Sequence, residues 1–292
     1  MEPMRGFGMK VSNELWKMTR SRKLLLYANY MAITYYWSVY LAVVYLVLFV
    51  SIPTVHESYQ NIQSVVFLFF MVSIKVNYFL SIWKDSVYKG TSTPTLVPKN
   101  WHHCITCQHH IPPKAHHCPL CNCCILKREE HCFFIGRCIG YRNQRFYIVY
   151  CFYVACGSIF GIVYAVLYIN HTYGTMYGGS KIIYFLPFTF FSWLFGSMPT
   201  PVFGIIFLMY LSLMTFTLGG GLFAFNMLLV LGGQTRYEFN FNTIMRLPWY
   251  MATANLHETF GKFWLLSFLI PGITSPEGDG INVISHKEYK NI

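Results

Sequence analysis

Four long apolar stretches divide this chain, and they restrict what it can fold into. They run from Leu24 to about Ile52, from Ile62 to Trp83, from Phe146 to Ile169 and from Val202 to Leu231. A helix needs about 20 residues to cross the hydrocarbon of a bilayer, and each stretch is long enough. With 54% hydrophobic and only 11% charged residues, the composition excludes an ordinary soluble domain. We predict an all-α polytopic membrane protein with four transmembrane helices.

The charged residues predict how these spans are oriented. Residues 1–23 hold six basic and two acidic side chains, and residues 84–145 hold nine basic and three acidic ones. Basic residues favour the cytoplasmic side of a membrane, so we predict that both termini and residues 84–145 are cytoplasmic. The formal charge of +11 lies in short clusters beside the spans. This pattern is typical of contact with anionic lipid, and we predict no binding to nucleic acid.

Three smaller features of the membrane part need an interpretation. The apolar piece at residues 182–198 would place the basic C-terminal tail on the luminal side if it crossed, so we predict an interfacial or re-entrant piece. The sequon Asn170-His171-Thr172 follows the third span and agrees with a luminal loop at this position. Lys75, inside the second span, is expected to extend toward the cytoplasmic interface.

The predicted organisation therefore has five parts, and we identify no internal repeat. They are a cytoplasmic N-terminus (1–23), transmembrane helices 1 and 2 (24–83), a cytoplasmic cysteine-rich domain (84–145), transmembrane helices 3 and 4 with a luminal loop (146–231), and a cytoplasmic tail (232–292).

The cytoplasmic segment between helices 2 and 3 is rich in metal-binding residues. Eight of the ten cysteines and seven of the eleven histidines lie between Trp101 and Cys138. The Cys-x-x-Cys spacing, from which two thiolates reach one zinc ion, occurs at Cys104, Cys118 and Cys121. In a Lys- and Arg-rich loop such residues indicate metal ligands in a reducing compartment rather than disulfides.

Six cysteines and two histidines complete two four-ligand sites. His117 and His131 each stand directly before a cysteine, and Cys138 closes the stretch. This count leaves Cys123 and Cys132 without a metal. A loop this short needs such staples to hold a fold, so we predict a small zinc-stapled domain.

The same stretch resembles the DHHC-type protein S-acyltransferases, or palmitoyltransferases. The matching positions, at the family's spacing, are Cys104-x-x-Cys107, Pro112-Pro113-Lys114, His117-Cys118, Cys121, Cys124, His131-Cys132, Cys138, Gly140, Asn143 and Phe146. After the last span, Thr235-Arg236-Tyr237-Glu238 is similar to the family's Thr-Thr-x-Glu element with its second Thr replaced. Asn255-Leu256 and Phe260-Gly261 are similar to its C-terminal block.

This resemblance implies a role for each group of residues. One structural zinc ion is bound by Cys104, Cys107, His117 and Cys124, and the other by Cys118, Cys121, His131 and Cys138. Cys132 is the nucleophile, which takes a long-chain acyl group from acyl-CoA and passes it to a cytoplasmic or membrane-associated protein. Lys114, Arg142 and Arg145 meet the phosphates of coenzyme A or, equally, lipid headgroups. The expected location is an endomembrane, the Golgi or the endoplasmic reticulum.

The signature tetrad departs from the family's Asp-His-His-Cys. It reads Glu129-Glu130-His131-Cys132, so Glu130 replaces the histidine that in the family draws the proton from the cysteine. A carboxylate with an ordinary pKa of about 4.3 is a weak base for a thiol with a pKa of about 8.5. Two hypotheses stay open: an acyltransferase in which Glu129 and Glu130 serve catalysis, and a weak or inactive relative that acts as a membrane zinc-binding or chaperoning module. An unrelated zinc-bearing scaffold of the ubiquitin-ligase kind fits the motif order poorly.

Overall fold

A computed structural model describes residues 22–55, 59–90, 97–173, 184–242 and 249–281. Four of its helices are long and apolar enough to cross a membrane, and they are Lys23–Thr54, Gln60–Trp83, Gln144–Thr172 and Thr200–Leu231. They confirm the four predicted spans, and the protein is a multi-pass membrane protein. The predicted N-terminal segment up to residue 21 and the end of the predicted tail from residue 282 lie outside the described residues.

The helices follow one another in this order. The first span consists of α1 (Arg22–Tyr45), a π-helical segment (Leu46–Ser51) and α2 (Ile52–Val55), and the second is α3 (Gln60–Trp83). The third and fourth are α4 (Gln144–Tyr173) and α6 (Thr200–Leu231), with α5 (Leu186–Leu194) between them. After the last span come α7 (Arg236–Asn242), a 3-10 turn (Trp249–Met251), α8 (Ala252–Phe260) and α9 (Leu266–Leu269).

Helix α4 is the centre of the bundle, since it packs against both α3 and α6. The contact with α6 is close because Gly219 lacks a side chain. A methyl group there would lie only 2.9 Å from Val154 Cγ1. Small residues let membrane helices approach in this way, as the run of three glycines from Gly219 predicts.

The short helix α5 contains nine residues and is about 14 Å long, too short to cross about 30 Å of hydrocarbon. Its neighbours Phe185 and Phe195 are exposed, as is Phe191 within it, and aromatic side chains favour the membrane interface. These features agree with an interfacial piece, although residues 182 and 183 of the predicted segment lie outside the described part of the chain.

Lys75 does not extend toward the interface, contrary to the prediction. Its Nζ lies 3.0 Å from the centre of the Trp37 ring and 3.5 Å from that of Tyr40. The aromatic faces of α1 attract the cation and hold it between the first two spans.

The cysteine-rich domain consists of three two-stranded antiparallel hairpins. Hairpin 1 pairs β1 (His102–Cys104) with β2 (His109–Ile111), hairpin 2 pairs β3 (His116–Cys118) with β4 (Cys123–Ile125), and hairpin 3 pairs β5 (Glu130–Cys132) with β6 (Arg137–Ile139). The domain is continuous with the bundle, because Gln144 begins the third span directly after hairpin 3.

The hairpins are three copies of one unit, which corrects the prediction that the chain has no internal repeat. The first strands end at Cys104, Cys118 and Cys132, which are 14 residues apart. The residue before each of these pairs across the hairpin in the same register: His103 with His110, His117 with Cys124 and His131 with Cys138. The turns of the three hairpins contain a residue of positive φ at equivalent positions, namely Gln108 (57°), Asn122 (55°) and Gly136 (72°). Few residues are identical between copies, so the shared register reveals the repeat more clearly than the sequence.

Candidate metal centres and active site

Two groups of cysteine and histidine could each hold a metal ion. They are Cys104, Cys107, His117 and Cys124, and Cys118, Cys121, His131 and Cys138, with the ligand atoms of each group within 4.8 Å of one another. The separation is 3.3 Å both between His117 Nδ1 and Cys107 Sγ and between His131 Nδ1 and Cys121 Sγ. Sulfur and nitrogen ligands of a tetrahedral ion lie about 3.5 to 3.8 Å apart. Each group therefore fits one ion of its own, and the structure brings together the ligands that the resemblance implied.

Each centre is built from two consecutive hairpins. The turn of one hairpin supplies two cysteines, and the next hairpin supplies a cross-strand pair, His117 with Cys124 or His131 with Cys138. Within each turn, the backbone N–H of the second cysteine points at the sulfur of the first at 3.5 Å. Such turns place N–H donors around a thiolate.

Cys132 occupies the first ligand position of the third turn but belongs to neither metal group. The second position of that turn is Ile135, so the turn offers one thiol instead of two. The thiol is buried, and burial raises the pKa of Cys132 above its ordinary value. The backbone N–H groups of Ile135 and Phe134 and the hydroxyl of Tyr147 oppose this rise in pKa.

An apolar cavity lies between the four spans, and Cys132 is one of its lining residues. The spans contribute, among others, Tyr40, Met71, Val154 and Leu222. The lining is largely hydrocarbon and aromatic, so the cavity suits a long apolar ligand. The thiol lies at the end of the cavity that faces the cysteine-rich domain.

Glu129 is almost fully buried and accepts two hydrogen bonds. Its Oε1 accepts from Gln144 Nε2 at 2.8 Å, and its Oε2 accepts from the backbone N–H of Arg236 at 2.6 Å. Burial raises the pKa of Glu129 to about 7, although the Arg236 N–H and the charges of Lys127 and Lys114 act in the opposite direction. Glu129 thus joins hairpin 3 to the start of α4 and to the start of α7.

Glu130 forms an ion pair with Arg236, through its Oε2 and the Nη1 of the arginine. Its other oxygen accepts a hydrogen bond from the Tyr147 hydroxyl at 3.0 Å. The sequence pattern singles out both Glu130 and Arg236 as departures from the family. Only the structure shows that these two departures contact each other.

Sequence reasoning missed Asn29 at the start of the first span. His131 Nδ1 faces the three sulfur atoms of its metal group, so its other ring nitrogen, Nε2, carries the hydrogen when an ion is bound. The Asn29 amide faces that Nε2, with Oδ1 at 3.4 Å and Nδ2 at 3.3 Å, and Oδ1 is the atom that can accept the hydrogen. Ligating histidines usually donate this hydrogen to a partner that fixes the ring. The one available signal in the sequence was an asparagine inside an apolar span.

The three basic residues predicted to meet coenzyme A lie in different environments. Arg142 is exposed, and its Nη1 approaches the carbonyl oxygen of Asp85 at 3.5 Å. Lys114 Nζ donates to the Gly233 carbonyl at 3.1 Å. Arg145 is buried and bonds the Thr274 carbonyl. Lys114 and Arg145 thus hold the chain after α6 and the C-terminal segment against the cysteine-rich domain.

Comparisons with known proteins agree with this architecture. The family model described as DHHC palmitoyltransferase matches residues 97–243. Palmitoyltransferase ZDHHC22 of Rattus norvegicus is 28% identical over 266 residues, which cover 83% of this chain and 92% of that protein. Probable palmitoyltransferase ZDHHC24 of Danio rerio is 34% identical over 187 residues, 63% of this chain and 62% of that protein. The family match covers half of the chain, and it includes both metal groups as well as Cys132 and Arg236. The chain therefore belongs to the DHHC palmitoyltransferase family.

Proposed function

We propose that this protein is a protein S-palmitoyltransferase, which moves a long-chain acyl group from acyl-CoA to protein cysteines through an acyl-Cys132 intermediate. The position of Cys132 carries the proposal. Its thiol lies outside both metal groups and lines the apolar cavity between the spans. A nucleophile beside a hydrocarbon-binding surface is what a long-chain thioester requires.

The proposed reaction has two transfers at Cys132. In the first, its thiolate attacks the carbonyl carbon of the acyl-CoA thioester, and the bond from that carbon to the coenzyme A sulfur breaks. The coenzyme A thiolate leaves and takes up a proton. In the second, the thiolate of a substrate cysteine attacks the acyl-Cys132 carbonyl, and Cys132 is released. The acyl chain occupies the apolar cavity between the two transfers.

The turn that contains Cys132 supports its activation without a histidine at position 130. Backbone N–H groups of Phe134 and Ile135 face the sulfur, as the corresponding N–H groups face Cys104 and Cys118 in the metal-binding turns. Hydrogen bonds to a thiolate favour the charged form. The turn of hairpin 3 therefore stabilises the thiolate of its own cysteine, and this sulfur faces a substrate where the other two turns bind a metal ion.

We assign the two glutamates of the tetrad to positioning rather than to proton transfer. Each carboxylate already accepts two hydrogen bonds, and Arg236 contributes one to each. An unpaired carboxylate beside Cys132 would raise the pKa of the thiol. The guanidinium of Arg236 offsets the charge of Glu130 and thereby reduces this effect.

Zinc is the proposed ion at both metal centres. Three thiolates and one imidazole in a closed tetrahedron are typical of structural zinc sites, and the protein's four ligands at each centre leave no open position for a substrate. Bound zinc supplies folding free energy to the three hairpins.

The proposed orientation places the cysteine-rich domain and both termini in the cytoplasm of an endomembrane, where acyl-CoA and thiol substrates meet. Among the three basic residues, Arg142 is exposed and is the proposed contact for a coenzyme A phosphate. Lys114 and Arg145 must leave their present carbonyl partners before they can reach one.

Labelling with palmitoyl-CoA tests the proposed function and separates it from an inactive zinc-binding module. Purified protein is incubated with radiolabelled palmitoyl-CoA, beside Cys132→Ser and the control Cys123→Ser, which removes the other non-ligand thiol of the domain. We expect hydroxylamine-labile label on the wild type and on Cys123→Ser, and none on Cys132→Ser. An unlabelled wild type would support the inactive module, and label that persists on Cys132→Ser would exclude Cys132 as the nucleophile.

A further inference from the structure

Hairpin 1 contains a ligand position that neither metal centre uses. In hairpins 2 and 3 the cross-strand pairs His117 with Cys124 and His131 with Cys138 each supply two ligands to one ion. The equivalent pair in hairpin 1 is His103 with His110. Both members are residue types that bind metals, at the register position that binds metal in each of the other copies.

The two imidazoles are close enough to share an ion. Their ring centres lie 5.1 Å apart with the planes at 68°. Two imidazoles on a tetrahedral ion, at metal–nitrogen distances of about 2.0 to 2.1 Å, hold their ring centres about 5 Å apart. Because the pair is directly opposed across the strands, side-chain rotation alone can direct one nitrogen of each ring at a common point.

Both side chains are also available. His103 and His110 are exposed, and within the described part of the chain neither imidazole has a hydrogen bond or an ion pair. The neighbouring His102 and His109 point to the other face of the hairpin, since successive side chains alternate along a strand. His102 lies beside His116, with ring centres 5.7 Å apart, and His109 Nδ1 contacts the Cys107 carbonyl oxygen at 3.0 Å.

The repeat also indicates what this site lacks. Each metal centre takes two further ligands from the turn of the preceding hairpin, and among the described residues no hairpin precedes hairpin 1. The remaining coordination positions at His103 and His110 therefore face solvent. Imidazole ligands suit zinc, copper and nickel, and a site with two protein ligands exchanges its ion more readily than a closed site with four.

We propose that His103 and His110 form a third metal site, which binds one exchangeable divalent transition-metal ion whose coordination is completed by water. The site is independent of the proposed acyl transfer. It adds a surface metal position to the domain without altering the two buried centres.

Zinc titration of the full-length protein tests the site. Detergent-solubilised protein that retains two zinc ions is dialysed against buffers of rising free zinc, and bound zinc per chain is counted by elemental mass spectrometry. We expect the wild type to rise from two ions to three. We expect His103→Ala and His110→Ala each to remain at two, because one imidazole cannot hold the ion alone.

His102→Ala is the matched control, because it removes an exposed histidine of the same strand from the opposite face. It should still gain the third ion. Retention of two ions in every variant shows that the domain remains folded. The proposal is overturned if the wild type never exceeds two ions, if both His103→Ala and His110→Ala still bind a third, or if His102→Ala loses the third ion as completely as they do.

Discussion

Glu130 and Arg236 contact each other although 106 positions separate them in the chain. Each is unusual by itself. A glutamate two positions before the proposed nucleophile, Cys132, adds negative charge, and an arginine beside the last span adds positive charge in a poorly solvated place. Together they form a partly buried ion pair whose side chains are only 23% and 17% exposed, respectively. The pair explains how the tetrad tolerates a carboxylate at this position.

The pair predicts non-additive effects of substitution on the rate of acyl-Cys132 formation. Arg236→Met leaves Glu130 without its cation, and we expect the rate to fall about tenfold, within the range for residues of one network. The double variant Glu130→Gln/Arg236→Met removes both charges and should lose less than Arg236→Met alone. Arg236→Lys should restore part of the rate. Equal rates for Arg236→Met and the wild type would refute a positioning role.

Glu258→Gln is the matched control for that cycle. It breaks another ion pair of the cysteine-rich domain, Lys127 with Glu258 at 3.0 Å, which does not include the tetrad. We expect a lower thermal midpoint and an unchanged rate per folded molecule. This contrast separates loss of stability from loss of positioning.

Because Asn29 of the first span contacts His131, we expect the metal centre that contains His131 to depend on this span and the other centre not to. Asn29→Leu removes the acceptor for His131 Nε2, and such partners are worth about 10- to 100-fold in metal affinity. In chelator competition we expect one of the two ions to be released at lower chelator concentration, while the ion at His117 is unaffected. Asn29→Asp, which keeps an acceptor, should restore retention. Equal release of both ions from Asn29→Leu would contradict this assignment.

At the scale of elements, Gly219 allows a close approach between α4 and α6. Gly219→Ala places a methyl group 2.9 Å from Val154 Cγ1, and overpacking of this kind costs about 1 to 3 kcal/mol. We expect a lower thermal midpoint, which Val154→Ala should restore in the double variant. Gly221→Ala is the control, because a methyl group there has no neighbour within 4 Å. Similar losses for both alanine variants would indicate helix-wide effects instead.

The repeat of hairpins is also a feature of elements, and it accounts for the free thiol. Each centre combines the turn of one copy with the strand pair of the next, so three copies make two complete centres. One turn and one pair remain at the two ends. The remaining turn holds Cys132, and the remaining pair is His103 with His110.

At the scale of the whole molecule, the hairpins and the bundle are held by different forces. The spans bury apolar faces against one another, whereas the small domain depends on its metal ligands. We expect chelators that remove both ions to abolish acylation of Cys132 while most of the helical circular dichroism remains. Return of zinc should restore acylation. Loss of the helical signal together with the metal would show that the bundle also depends on the centres.

Local pattern alone determined the four spans and the number of ligands for two metal sites, because apolar run length and Cys-x-x-Cys spacing act over a few neighbouring residues. The resemblance to the family, and not the spacing, implied which ligands share an ion and that Cys132 is the nucleophile. The sequence also identified Glu130 and Arg236 as departures, but it could not pair them. Only the tertiary structure decided that they meet, that Asn29 holds His131, that Lys75 lies among aromatic rings and that Cys132 lines a cavity between the spans. These features are contacts between segments far apart in the chain, and they arise from packing, which no local pattern encodes.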